Sequence, residues 1–223
     1  MAGTGQVVKA VIFGKGSVST AVPKDFWKEY EEKHILKKGS IRETRLSPAI
    51  STRFAEAYRG EITAERLEED FVVAYNEQHG TYLETLPIIT ECVSVKKLKE
   101  SLRPKMLQAV GILRERGIKV ALLSNNILFD EEGKEPTLPF EDDGSVFDAI
   151  VESCKVGLRK PDPAIFQHAK GRLGCSKDET VFVGHLKSNV DAARQFGMTA
   201  IPVEDEETAL EELEKMVGFS LSK

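Results

Sequence analysis

Lys160 is the residue whose neighbours best equip it for chemistry. It stands in Gly157-Leu158-Arg159-Lys160-Pro161-Asp162-Pro163, just ahead of an amphipathic pattern at Ile165, Phe166 and Ala169. Pro161 and Pro163 stiffen the approach and Asp162 is a ready N-cap, so the ammonium is set at the mouth of a helix rather than on a free loop. A second cluster, Ser124-Asn125-Asn126, follows the apolar run Lys119–Leu123. A hydroxyl and two amides at a strand's carboxyl end can donate to phosphate oxygens. The same residue types also stabilise turns through side-chain to backbone bonds. A third, Gly14-Lys15-Gly16-Ser17, closes the first apolar run. Its lysine precedes the second glycine, so it is not the G-x-x-x-x-G-K-[ST] phosphate loop. The fourth is Gly184-His185, after Thr180–Val183. His185 is a general base only if another group orients it, and the sequence shows no such partner. Asp148 and Asp191 fall out of phase with these clusters and read as turn and helix carboxylates.

The elements that must position these residues follow from apolar patterning. Five runs have strand character: Val7–Phe13, Lys119–Ser124, Ala149–Glu152, Thr180–Val183 and Thr199–Val203. From the second onward they alternate with helical segments, which predicts an α/β fold with a parallel sheet. Helices are expected over Lys105–Arg116, stopped by Gly117, and over the charged amphipathic tail Glu207–Val217. Residues 20–102 have another texture. Phe26, Trp27, Tyr30 and Ile35, then Ile50, Phe54, Ala57 and Tyr58, then Leu67, Phe71, Val72 and Tyr75 after an N-cap at Thr63, recur at helical spacing. They predict a helical insertion over 20–102 whose aromatic stripe forms its own core, between core segments 1–19 and 103–223. The acidic stretch Phe129–Gly144, with Gly133, Pro136, Pro139 and Gly144, reads as a loop or flap.

The 223 residues are 41% apolar and 30% charged with a net charge of −5, an ordinary soluble composition that argues against nucleic acid as a partner. Cys92, Cys154 and Cys175 are odd in number and lack C-x-x-C spacing, so they read as reduced thiols rather than a disulfide frame or zinc site. No apolar run approaches the ~20 residues of a membrane helix, and the amino terminus lacks signal-peptide character. A cytoplasmic protein without membrane association is the expectation.

Taken together, the four clusters resemble the motifs of the haloacid dehalogenase-like (HAD) hydrolases. Gly14-Lys15-Gly16-Ser17-Val18 takes the place of the family's Asp-x-Asp-Gly-Val, Ser124 that of the phosphate-binding Ser or Thr, and Lys160-Pro161-Asp162-Pro163 that of its lysine motif. In the last motif Asn189, Val190 and Ala193 match, and Gly184-His185 replaces the acidic pair. Phe147–Cys154 and Gly218–Leu221 further resemble HAD-like domains at the amino termini of larger enzymes. The resemblance implies a Rossmannoid core with a helical cap inserted after strand one, and Mg²⁺-dependent phosphoester hydrolysis through an aspartyl-phosphate. Here Gly14 supplies no nucleophile, and neither Gly16 nor Gly184-His185 supplies the carboxylates that Mg²⁺ needs. The leading expectation is therefore a scaffold without catalysis, metal or other cofactor. It would act as an interaction module or bind a small phosphorylated or carboxylate ligand through Ser124, Asn125 and Lys160, helped by Lys15. The alternatives are a phosphatase-like hydrolase using non-standard residues, and a structural protein that self-associates as a homodimer.

Overall fold

The computed structural model describes residues 7–19, 23–91, 95–135 and 137–222. Along the chain run β1 (Ala10–Gly14), α1 (Lys15–Val18), α2 (Pro23–Lys33), α3 (Ser40–Arg45), α4 (Pro48–Tyr58), α5 (Ala64–His79), α6 (Val95–Glu100) and α7 (Pro104–Glu115). Then come β2 (Lys119–Ser124), β3 (Ala149–Glu152), α8 (Ser153–Val156), α9 (Pro163–Leu173), β4 (Thr180–Gly184), α10 (Lys187–Phe196), β5 (Thr199–Pro202) and α11 (Glu206–Val217).

β1 is buried along its whole length, as the middle strand of a parallel sheet must be when helices cover both faces. The five strands lie in the order β3-β2-β1-β4-β5, and every pair is parallel. The α/β fold with a parallel sheet is as the patterning predicts. Strand periodicity of two divides the core. Val11, Phe13, Leu122 and Val183 face a cluster shared with Met106 and Leu113 of α7 and Leu213 of α11. Ala10, Ile12, Leu123 and Phe182 face the other side, with Ile165 and Phe166 of α9 and Val190 of α10. β1 begins at Ala10 rather than Val7 because both neighbours start pairing there, at Lys119 and Thr180. Val7, ahead of the ladder, is 66% exposed.

Helices α2–α6 stand between β1 and α7 and carry a third apolar cluster, including Tyr30, Ile41, Phe54, Leu67, Phe71 and Tyr75. Thr63 caps α5, its hydroxyl accepting from the Arg66 amide at 3.4 Å. The passages into and out of this helical stretch lie side by side: Ser19 and Leu102 form an antiparallel bridge, and the hydroxyls of Ser19 and Ser101 are 2.8 Å apart. Ile35 departs from the expected stripe. Its φ is +54° and it is 94% exposed, because α2 has ended at Lys33. Cys92 and Pro136 lie outside the described residues.

The 129–144 stretch has neither helix nor strand among its described residues, yet it is pinned. Leu138 is buried, Phe140 meets Phe147 edge-on at 5.2 Å, and Asp142 Oδ1 accepts from the Ile150 amide at 2.7 Å.

Candidate functional site

In an open parallel sheet, ligands bind beyond the carboxyl ends of the strands where the connections diverge. β1, flanked by β2 and β4, is that place. A cavity of about 370 Å³ opens there. On the sheet side it is lined by Gly14-Lys15-Gly16, Asn125-Asn126, Lys160-Pro161 and Gly184-His185, and across from them by Phe26, Trp27, Arg45, Phe54 and Tyr58 of the helical stretch. The aromatic stripe therefore divides its work. Tyr30, Phe71 and Tyr75 are buried in the cluster, while Phe26, Trp27, Phe54 and Tyr58 also face the cavity.

Lys160 reaches the cavity while remaining 5% exposed, and its ammonium donates to the carbonyl of Leu123 in β2. Asn125 holds it there. Its Oδ1 accepts from the Lys160 amide at 2.8 Å and its Nδ2 donates to the Lys160 carbonyl at 2.9 Å. Asn125 lines the cavity, but both ends of its amide are spent on the lysine backbone, so it acts as a brace. Ser124 is fully buried, donates to the Asn125 carbonyl at 3.3 Å and is not among the lining residues. Of the three predicted binding residues, Lys160 alone presents an uncommitted function to the cavity beyond one carbonyl contact. The approach from α9 is as expected, with Asp162 accepting from the Ala164 amide at 2.9 Å. Asp191 pairs with Lys187 on α10 and Asp148 with the Val120 amide, away from the cavity.

The floor is glycine covered by rings. A Cβ on Gly16 would lie 2.0 Å from both Cε1 and Nδ1 of His185, so the imidazole fills the space a side chain at 16 would need. A Cβ on Gly184 would lie 2.5 Å from the Phe182 ring, which meets Phe166 edge-on at 5.3 Å. Gly14 is different, with its nearest neighbour at 3.5 Å, an ordinary contact. Ser17, whose hydroxyl lies 2.5 Å from the Gly14 carbonyl and 3.0 Å from that of Val183, ties the turn to β4.

The electrostatics of the cavity are one-sided. Lys15, Arg45, Arg159 and Lys160 line it, and no aspartate or glutamate does among the described residues. Burial, then the nearby Lys15 charge, pushes the Lys160 ammonium down to about 7. Burial lowers Lys15 too, with Glu152 and Cys154 pulling the other way. Glu152 is itself engaged, accepting from Asn126 at 2.8 Å, from the Thr137 hydroxyl and from Lys155. Burial, then Lys160, Arg103 and Lys15, pushes His185 down to about 4, leaving a neutral ring and a weak base. Burial and Glu152 raise the Cys154 thiol to about 11, which removes it as a nucleophile. The donor set does not fit Mg²⁺. Glycine stands at 14, 16 and 184, and no group of three or more His, Cys, Asp or Glu among the described residues could hold a metal.

The haloacid dehalogenase-like hydrolase pattern matches residues 8–197. The chain belongs to that family. It is 33% identical over 217 residues to mouse acyl-CoA dehydrogenase family member 10, covering 97% of this chain and 20% of that protein. It is 32% identical over 204 residues to pig bifunctional epoxide hydrolase 2, covering 87% of this chain and 36% of that protein. The chain thus spans about a fifth and a third of these relatives. The fold agrees with that of a predicted HAD-like family hydrolase from Porphyromonas gingivalis at a TM-score of 0.63 and 19% identity, covering 93% of this chain and 98% of that one. The family scaffold is a hydrolase and phosphatase scaffold, and its Rossmannoid core is the sheet described above.

Arg45 and Trp27 were not legible as site residues: they lie 115 and 133 residues from Lys160 in sequence, and only the folding of α3 and α2 over the sheet edge brings them to the cavity, whereas Arg159 is the immediate neighbour of Lys160. Asn126 had a signal, its place beside Asn125, yet its amide serves Glu152.

Proposed function

We propose that the cavity binds a small phosphorylated or carboxylate ligand without a metal, on a HAD scaffold that has given up phosphoryl transfer. The observation that carries this reading is the cavity's charge: four cations and no acid among its described lining residues, in a chain of net charge −5. The Lys160 ammonium, buried with no carboxylate facing it among the cavity's described lining residues, is poorly solvated, and an anion between it and Lys15 relieves both its burial and their mutual repulsion. Lys160 and Lys15 are the anion's anchors in this reading. Asn125 braces Lys160, and Ser124 supports the brace from below. The helical stretch serves as a cap, closing the apolar side over the ligand's body. Loss of chemistry follows from Gly14, since covalent transfer needs a nucleophile there and neither His185 nor Cys154 replaces it.

Calorimetric titration of phenyl phosphate in the presence of EDTA tests the binding. Saturable binding that Lys160→Met weakens about tenfold, the scale of one charge-assisted contact, is the expected result. Absence of binding overturns the reading. Hydrolysis of p-nitrophenyl phosphate with and without Mg²⁺ tests the chemistry. No turnover is expected, and Mg²⁺-dependent turnover abolished by Lys160→Met would restore an active phosphatase.

A further inference from the structure

Two polar groups on residues of the helical stretch that line the cavity have no hydrogen-bond partner among the described residues. The guanidinium carbon of Arg45, the last residue of α3, lies 4.0 Å over the Phe54 ring, and the side chain makes no ion pair or hydrogen bond among the described residues. The indole Nε1 of Trp27, on α2, is buried without a hydrogen-bond partner. Each is unusual alone. A buried indole N–H nearly always finds an acceptor, and arginine in an enclosed site is normally matched by a carboxylate. Both are supplied by the helical stretch, opposite the sheet-edge lysines, and Phe26, Phe54, Tyr58 and Phe129 line the space between.

We infer that Arg45 and Trp27 form a second acceptor-binding point, and that the ligand has two acidic ends joined by an apolar body. This rests on the anion-pocket reading for the lysine end and goes beyond it for the distal end. The guanidinium, resting 4.0 Å over the Phe54 ring, keeps its N–H donors for a ligand, and its fork suits bidentate pairing with a planar carboxylate. The indole N–H offers a single further donor to the same group. The ring-lined middle accepts an aryl or branched aliphatic spacer and gives a hydrophilic linker nothing to bond. At about 370 Å³ the space suits a compact ligand rather than a polymer.

The discriminating experiment compares phenyl phosphate with 4-carboxyphenyl phosphate and with its longer homologue, 3-(4-phosphonooxyphenyl)propionate, by calorimetry in EDTA. One of the two carboxylated probes is expected to bind about tenfold tighter than phenyl phosphate. Arg45→Met should erase that gain, so that the carboxylated probe binds no tighter than phenyl phosphate does to the same variant, and Arg45→Lys should restore only part of it. Trp27→Phe, which keeps the ring's bulk, should reduce the gain without abolishing it. Phenyl phosphate binding with no gain from either carboxylate overturns the second point and leaves the anion pocket standing. A gain that survives Arg45→Met also overturns it. Failure of all three probes to bind overturns both readings.

Discussion

The imidazole of His185 occupies the space beside the Cα of Gly16, 2.0 Å from where a Cβ there would be. Residues 16 and 185 therefore behave as one unit. A side chain at 16 requires the ring to leave, and the ring at 185 requires glycine at 16. In this chain the glycine and the ring are matched by packing rather than by charge.

Gly16→Ala should cost about 1–3 kcal/mol in the wild-type background, the usual penalty for overpacking a filled site. In a His185→Ala background the same change should be neutral or slightly stabilising, since it removes chain entropy from the unfolded state and now has room. Urea denaturation of the four proteins closes a double-mutant cycle. Additive effects would show that the ring does not occupy that space.

Gly14 and Gly184 should respond in opposite ways to the same substitution. Gly14→Asp meets only ordinary contacts, at 3.5 Å or more, and brings a carboxylate to Lys15 and Lys160. It should keep a cooperative thermal transition and hold within about 1 kcal/mol of wild type. Gly184→Asp drives a Cβ to 2.5 Å from the Phe182 ring, which is held against Phe166, and should cost about 1–3 kcal/mol. Phe182→Leu should recover part of that loss. Equal melting points for the two single variants would count against this division of the floor.

The sheet could be read in the sequence because its strands are short, apolar and β-branched, and because parallel strands are buried on both faces. Lys119–Ser124 and Ala149–Glu152 are strands with those bounds. Ile35 was misleading because helical spacing continues in sequence past the residue where α2 stops. The site was legible only in its local pieces. Lys160 carries its proline and aspartate signals beside it. The commitment of Asn125 to the Lys160 backbone 35 residues away has no sequence signature, since an amide that braces and one that binds look the same in a chain. Arg45 and Trp27 have still less, because their placement depends on how the helices pack over the sheet edge.

If Asn125 is a brace, removing it should act on Lys160 rather than on ligand directly. Asn125→Ala deletes both hydrogen bonds to the Lys160 backbone, leaving the Lys160 amide without its acceptor and the carbonyl with only the 3.4 Å contact from Arg159 Nη1, a loss of about 1–3 kcal/mol in stability. Asn125→Asp keeps the acceptor but not the donor, and should fall between the two. Hydrogen exchange at the Lys160 amide should accelerate in both variants, most in Asn125→Ala. An unchanged rate would show that the loop is held by other contacts.

Lys160 gives the protein a defined response to pH. Its folded pKa of about 7 lies below the usual lysine value of about 10.4. Between those values the unfolded chain binds the extra proton, so stability rises with pH across that window, and the full penalty of burying the charge is felt below pH 7. Lys160→Met should therefore stabilise the protein at pH 6, and that advantage should shrink steadily by pH 10. Ligand binding should run the other way. An anion favours the protonated ammonium, so phenyl phosphate, already dianionic above about pH 6, should bind best below pH 7. Its affinity should then fall by up to about tenfold per unit as Lys160 loses its proton. Calorimetry from pH 6.5 to 9 reads this slope, and Lys160→Met should flatten it. A wild-type affinity that stays level over this range would mean that Lys160 does not carry the charge the anion meets.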